Sequence, residues 1–294
     1  MAEASIPVDL FNPGQVFACL GFLEAADVLL GDAEGGFDWS NETDVRFVLR
    51  ANGDENPFAH VLAFLAEAEV ESIAPKDSGL STVKWAVPTK ILRTEDPFPF
   101  PAPSSPATLP ALLRRQTQKT LEELTVDHWG DATQRDNVKL WAGAGGYPGA
   151  ALFRDGLDLS REALPASAAN PFAFSRPQSI SFRLDWRRDY IPLEVGFSPN
   201  SHGDIKMVGY PIVELLATIG LSHARPRRFT KLEYGYAVLG RSEGSSIFYA
   251  NLHRAALGQA ALPFPRRSFR FQLGWPGQEN QARCILDVSE EIAP

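Results

Sequence analysis

The sequence predicts an α+β fold with mixed or antiparallel sheets, packed helices and a strand-rich second half. Three observations predict it. Residues 1–71 follow the order strand, helix, two strands, helix, which is typical of α+β proteins. From residue 179 onward, segments of alternating apolar and polar residues dominate, and one amphipathic helix, YPIVELLATIGL, interrupts them. The 294 residues are 44% hydrophobic and 22% charged, and a chain of this length buries one large core or two smaller ones.

The N-terminal segment predicts a short strand followed by a long helix. Residues 6–10 are strand-like, and the NPG that follows opens the helix, because asparagine caps helix N-termini and proline is tolerated at the first helical position. An apolar stripe continues through Leu30, and Gly31 predicts the end of the helix. Cys19 lies on this stripe and is expected to be a small core residue.

A strand pair, a second helix and a proline-rich break follow. Residues 37–50 combine two alternating segments with a polar turn, and residues 57–71 carry an apolar helical face. Residues 95–110, EDPFPFPAPSSPATLP, are too rich in proline for a regular element. The predicted division is an acidic α+β part at 1–94, a proline-rich linker or loop, and a second α+β part at 111–294, unless the chain is one continuous domain.

The second half begins with a predicted helix and then becomes rich in strands. The helix covers residues 109–129, LPALLRRQTQKTLEELTVDHW. A glycine-rich turn at residues 143–149 then precedes a helical segment, AALFRDGL. The later segments that predict strands are SISFRLDW, YIPLEVGF, KLEYGYAVLG, SSIFYANLH and RRSFRFQLGW.

Charge is divided unevenly along the chain, whose formal net charge is -8. Residues 1–110 carry six Lys/Arg and 17 Asp/Glu, a net of -11, whereas residues 111–294 carry 22 and 19, a net of +3. The acidic part repels a phosphate backbone. Residues 176–231 have nine Lys/Arg against five Asp/Glu, a net of +4, interleaved with aromatic residues. This stretch indicates a confined nucleic-acid surface, or a solvated sheet face with a basic rim.

The chain carries few signals for a membrane, a secretory pathway or a metal. No apolar run approaches the roughly 20 residues that span a bilayer, and the N-terminus MAEASIPVDLF lacks the features of a signal peptide. Two distant cysteines fit a reducing compartment, so we expect a cytoplasmic protein. The two cysteines and five scattered histidines have no zinc spacing, and we expect no metal and no cofactor.

Three arginine clusters are the strongest candidates for phosphate contacts, because guanidinium groups match phosphate geometry. They are Arg187 with Arg188, the RPRR at residues 225–228, and Arg266 with Arg267. In a strand, alternation places only one of Arg187 and Arg188 on the face of Arg183. Solubility or ion pairing is the alternative role for each cluster.

Two further segments can contact a phosphate without supplying catalysis. The glycines after VKLW, a segment that includes Lys139, can cradle phosphate, but their spacing matches neither the dinucleotide fingerprint nor the P-loop, and a plain turn is the alternative. The polar loop SPNSHGD, with Asn200 and His202, can bond a phosphate or a base edge, or serve as turn chemistry. A Ser/His/Asp triad or a metal site near His128 lacks a supporting pattern. We therefore predict a non-enzyme, with a hydrolase that uses His128 or His202 as the rival hypothesis.

Three segments together resemble a known family. They are NPGQVFACLGFLEAADVLLGD, NVKLWAGAGGYPGAAL and SFRLDWRRDYIPLEVGFSPNSHGDIKMVGYPIVELLATIGL. They are similar to the compact large-subunit-type protein of type I-U (I-G) CRISPR–Cas Cascade surveillance complexes. The resemblance covers most of the chain, excluding the proline-rich segment and the C-terminal end. Large subunits of other types are longer, which leaves open whether a separate small subunit replaces their helical C-terminal bundle.

The resemblance implies a non-catalytic role in antiviral defence. Such a subunit recognises the protospacer-flanking motif (PAM) in target duplex DNA and stabilises the R-loop, while guide pairing reads the sequence. Implied partners are crRNA-bound backbone subunits, crRNA, target double-stranded DNA and a helicase-nuclease recruited in trans. The alternative is a protein-interaction scaffold in the same complex, with little nucleic-acid contact. The nucleic-acid contacts predicted from the residues are Lys139, Arg187, Arg188, Asn200, His202, Lys206, Arg225, Arg227, Arg228, Arg266 and Arg267.

Overall fold

The computed structural model describes residues 1–96, 98, 103, 105–130, 147–178, 181–188, 207–241, 246–274 and 283–291. Helices and mixed sheets within these residues confirm the predicted α+β class. The helices are α1 Pro13–Leu30, α2 Pro57–Glu67, α3 Gly149–Ser160, α4 Pro211–His223 and α5 Ala250–Leu257. The strands are β1 Ala2–Pro7, β2 Glu34–Asp38, β3 Arg46–Ala51, β4 Glu69–Ala74, β5 Thr89–Ile91, β6 Ala111–Gln116, β7 Leu121–Val126, β8 Arg176–Pro177, β9 Val208–Gly209, β10 Arg227–Arg228, β11 Glu233–Arg241, β12 Phe248–Tyr249, β13 Arg266–Gly274 and β14 Cys284–Glu291.

The largest sheet joins the first fifty residues to the C-terminal strands. Its strand order is β1-β3-β2-β11-β13-β14, with β10 added beside β11 and β12 beside β2. The β2–β11 pair is parallel, through Gly240 opposite Phe37 and Arg241 opposite Asp38. A second sheet, β5-β4-β6-β7, joins strands on either side of the proline-rich segment. The buried hydrophobic cluster likewise draws on both predicted parts of the chain.

Helix α1 is the central core helix, and its ends follow the predicted signals. The Asn12 side chain accepts a hydrogen bond from the Gly14 amide at 3.1 Å, and Gly31 ends the helix at a φ of 80°. Length and composition alone would allow this helix to cross a membrane, but 78% of it is buried inside the protein. The predicted core residue Cys19 is fully buried on it.

Helices α1 and α4 contact each other through their backbones at two glycines. A Cβ atom on Gly21 would overlap the carbonyl oxygen of Leu216, and one on Gly220 would overlap that of Phe17. Protein interiors are close-packed, and neither carbonyl belongs to a flexible side chain that could move aside. The absence of side chains at these positions therefore sets the separation of the two helices.

The predicted helix at residues 109–129 is wrong, because this segment forms the β6–β7 hairpin. Its many Leu, Arg, Gln, Glu and Lys residues favour helices intrinsically, and its turn contains neither glycine nor proline. Two cross-strand ion pairs, Arg114–Glu123 and Arg115–Glu122, link the strands, and β6 also pairs with β4. Tertiary pairing thus overrides local propensity.

Other boundaries also differ from the sequence predictions. The second helix ends at Glu67, and the remainder of its predicted range begins β4. Residues 181–188 are irregular rather than a strand, which removes the alternation argument for the arginines there. The predicted strand SSIFYANLH forms only β12 before α5 begins at Ala250. Strands β11 and β13 and helices α1, α3 and α4 confirm their predicted segments.

We expect Gly21→Ala to destabilise the protein by about 2 kcal/mol or more. Alanine gains roughly 1 kcal/mol of helix propensity over glycine, but overpacking a rigid core contact typically costs about 1–3 kcal/mol or more, and here the obstacle is backbone. Urea unfolding followed by circular dichroism measures the difference.

The matched control is Gly258→Ala. A Cβ there lies 3.6 Å from its nearest neighbour and the backbone φ is -74°, so the free energy of unfolding should change by less than about 0.5 kcal/mol. Equal effects of the two substitutions would contradict the packing argument.

Candidate nucleic-acid interface

The structure separates the predicted contact residues into two groups. Arg187 and Arg188 lie in residues 181–188, which we call the polar segment and which precede α4 in the chain. The RPRR cluster, Arg266 and Arg267 lie on the C-terminal part of the large sheet. The predicted contacts Lys139, Asn200, His202 and Lys206 lie outside the described residues.

Arg187 is held by internal partners. Its Nη2 bonds Asp185 Oδ2 at 2.6 Å and the Phe172 carbonyl oxygen at 2.9 Å, and its guanidinium carbon lies 3.7 Å from the centre of the Tyr210 ring. Asp185 is fully buried and also accepts from the Asn12 side chain at 3.0 Å. The Arg187 side chain keeps 29% exposure and reaches a cleft of about 290 Å³ between the β1–α1 and β2–β3 loops. Arg187 thus joins this segment to Phe172 and Tyr210, while Asp185 joins it to the cap of α1.

Arg188 is buried, with 3% exposure, and its Nη2 donates to the Gln178 carbonyl oxygen at 3.0 Å. A phosphate cannot reach a guanidinium in that position, so we exclude Arg188 from the candidate contacts. Sequence alone could not show this, because arginine is almost always exposed unless it is paired.

Glu214 organises the same segment from α4. Its carboxylate accepts backbone N–H groups of Arg183 at 2.8 Å and Leu184 at 3.1 Å. Burial raises the pKa of Glu214 to about 7, an effect that the positive charge of Arg188 opposes and that nearby Asp185 reinforces. The backbone hydrogen bonds also favour the charged form, but burial outweighs them.

On the C-terminal part of the large sheet, some arginines pair with a carboxylate and others do not. Arg267 forms a two-pronged pair with Glu290, both contacts at 2.6 Å, and the hydrogen bond from Arg267 lowers the pKa of Glu290. Arg225 is half-buried. Arg227, Arg228 and Arg266 are exposed and form no ion pair with any described carboxylate.

The C-terminal part of the large sheet, with the residues that flank its strands, carries net positive charge. Residues 225–241, 266–274 and 283–291, which hold β10, β11, β13 and β14, carry nine Lys/Arg and four Asp/Glu, a net of +5. Arg228 and Arg266 use single nitrogen atoms to bond the carbonyl oxygens of Thr230 at 3.2 Å and Ala260 at 2.6 Å. The rest of each guanidinium remains able to bond phosphate oxygens.

Strand register also creates an arginine–phenylalanine stack that sequence reasoning missed. Arg227 lies opposite Gly235, and Gly235 lies opposite Arg270, so both arginines project from one face. The Phe229 ring lies between them, 5.0 Å from the Arg227 guanidinium carbon and 4.1 Å from that of Arg270. Alternation in RRSFRFQLGW predicts that Arg270 and the buried Phe269 point to opposite faces of the strand. It does not predict that Arg270 lies beside Phe229.

No family model, curated protein or solved structure matches this chain. Among the described ranges, no group of three His, Cys, Asp or Glu side chains is placed to hold a metal ion.

We expect Glu214 to make stability fall as pH rises from 5 to 8. A carboxyl whose pKa is raised to about 7 in the folded state, from near 4.3 in the unfolded chain, stabilises the fold when protonated. That contribution is complete below the unfolded pKa and is lost as pH passes the folded pKa, which amounts to about 2.5 kcal/mol over this range.

Glu214→Gln removes the titration while keeping one acceptor oxygen. Urea unfolding at pH 5 and pH 8 should show the wild type losing about 2.5 kcal/mol relative to this variant. The exposed control Glu3→Gln should track the wild type at both values. A Glu214→Gln difference that does not change with pH would contradict the assignment.

Proposed function

We propose that the protein is a non-catalytic, nucleic-acid-binding subunit of a crRNA-guided Cascade complex of type I-U (I-G). It contacts the protospacer-flanking duplex DNA and stabilises the R-loop. The observation that carries the proposal is the exposure of Arg227, Arg228 and Arg266, without carboxylate partners, on a sheet of net charge +5. The family resemblance supplies the kind of complex.

Arg227 and Arg266 have a spacing that suits a DNA backbone. Arg227 and Arg266 pair with positions 235 and 239 of β11, from opposite sides of that strand. The backbones of Arg227 and Arg266 are therefore displaced by four residues along the strand direction and by two strand spacings across it. Together these displacements give a separation of about 16 Å. This matches the axial length of four to five nucleotides of one B-form strand, at about 3.4 Å each.

The acidic N-terminal part then has a complementary task. Residues 1–110, with a net charge of -11, repel phosphate and keep nucleic acid on the opposite, C-terminal strands of the large sheet. In the proposed complex the acidic part faces backbone subunits or solvent, and the helicase-nuclease is recruited in trans. A cytoplasmic location belongs to the same proposal.

The second candidate function is a protein-interaction scaffold in the same complex. Ion pairs neutralise Arg267 and Arg270, and the net charge of the whole chain is negative, which favours limited DNA contact. Replacing residues 97–104 with a Gly/Ser linker distinguishes the two functions. Loss of co-purification with the crRNA-loaded assembly, with DNA affinity unchanged, would favour the scaffold.

The test of DNA contact uses the assembled complex and a triple variant, Arg227→Gln with Arg228→Gln and Arg266→Gln. Each lost phosphate contact should reduce the slope of log K against log salt by about 0.9, so the slope should fall by up to about 2.7 and affinity should drop most at low salt. Fluorescence anisotropy with a target duplex gives both quantities.

The control triple is Arg46→Gln, Arg50→Gln and Arg93→Gln. These arginines pair with Asp44, Glu34 and Glu95 in the acidic part, and their replacement changes the net charge by the same amount. The control should leave the slope unchanged. Equal slopes for both triple variants would overturn the site assignment.

A further inference from the structure

We propose that the Arg227–Phe229–Arg270 stack binds an unpaired base of a single-stranded nucleic acid. This inference rests on the proposed function and adds to it the strand state of the ligand and the residue that recognises a base. Phe229 supplies the stacking surface, Arg270 holds the ring in place, and Arg227 opens to admit the base.

The Phe229 ring is held at a defined position over the sheet. Its amide donates to the Glu233 carbonyl oxygen at 3.0 Å, which closes the turn between β10 and β11. Gly235 lies beneath the ring, and a Cβ atom there would come within 2.8 Å of Phe229 Cε2. Because position 235 has no side chain, the ring can lie close against β11.

Arg270 is a fixed support for one face of the ring. Its Nη1 bonds Glu233 Oε1 at 2.9 Å and its Nη2 bonds Glu291 Oε1 at 2.7 Å. Gln259 Nε2 donates to the other oxygen of Glu291 at 2.9 Å, so that carboxylate is itself held in place. Two carboxylates and the ring contact at 4.1 Å keep the guanidinium of Arg270 against Phe229.

Arg227 is the labile cover on the ring. It is exposed, pairs with no described carboxylate and lies 5.0 Å from the ring centre. An exposed cation–π contact stabilises by about 0.5–1 kcal/mol, whereas a base stacked on an aromatic side chain contributes about 1–3 kcal/mol. A base therefore displaces the guanidinium of Arg227, which then pairs with the adjacent phosphate.

The charges around the stack favour an unpaired strand over intact duplex at this point. Glu233 and Glu291 both pair with Arg270, which contacts the Phe229 ring. Their negative charges disfavour a phosphate directly over the ring, whereas a neutral base is accepted. Stacking also needs an exposed base face, which the neighbouring base pairs of a duplex cover. The surrounding net charge of +5 attracts the rest of the strand.

The test measures binding of the full-length protein, alone and in the assembled complex, to two fluorescent probes of equal charge. One is a 12-nucleotide oligothymidylate, and the other is a deoxyribose-phosphate oligomer of the same length without bases. The wild type should bind the oligothymidylate about 5- to 150-fold more tightly, which corresponds to the stacking of one base.

Variants separate stacking from charge. Phe229→Leu should abolish the preference for bases and leave the salt slope unchanged, whereas Phe229→Trp should retain or increase the preference and confirms the role of a ring if the leucine variant folds poorly. Arg227→Gln should lower the salt slope by about 0.7, the value for one single-strand phosphate contact. Phe11→Leu, at another partly exposed phenylalanine, should behave as the wild type.

The outcomes distinguish the two proposals. Binding of both probes with equal affinity, unchanged by Phe229→Leu, would overturn the base-stacking site while the proposed function stands. Failure of the wild type to bind either probe or duplex DNA, alone and in the complex at low salt, would overturn both.

Discussion

The contact between the backbones of α1 and α4 at Gly21 and Gly220 is the constraint on which the rest of the structure depends. With α4 fixed against α1, Glu214 holds the amides of residues 183 and 184. The next residue, Asp185, then bonds the Asn12 cap of α1. A closed loop of interactions thus runs from one helix to the other and back, and Arg187, a predicted contact residue, bonds Asp185 within it.

The same helix also determines where positive charge is exposed. Phe17 of α1 packs edge-on against Tyr236 and Phe271, which fixes the inner face of β11 and β13. Strand alternation then requires Arg270 and its cross-strand neighbour Arg227 to project from the opposite face. Parallel pairing of β11 with β2 joins this basic part of the large sheet to the N-terminal part of the chain, whose residues 1–110 carry a net charge of -11.

Sequence reasoning succeeded where a local signal determines structure. The NPG cap and Gly31 bounded α1 correctly, and alternation in KLEYGYAVLG and RRSFRFQLGW predicted β11 and β13. It failed at residues 109–129, because the ion pairs that join β6 and β7 connect positions that a helix would separate. No feature of the local composition distinguishes the two structures.

At the candidate interface, the sequence could indicate which arginines are exposed, but not which residues they contact in the fold. Arg227, Arg228 and Arg266 were identifiable from charge alone. The burial of Arg188 depends on α4, and the Phe229 stack depends on a register that pairs Gly235 with Arg270, 35 positions further along the chain. These contacts arise from tertiary structure, which one sequence without its fold does not display.

The most direct test of the central claim is a map of where nucleic acid touches this protein in the assembled complex. Ultraviolet cross-linking of a target DNA that forms an R-loop, followed by mass spectrometry of the cross-linked peptides, gives that map. We predict cross-links concentrated in residues 225–233 and 266–274, with few in residues 1–110. Cross-links confined to the acidic part, or none to this subunit, would contradict the account.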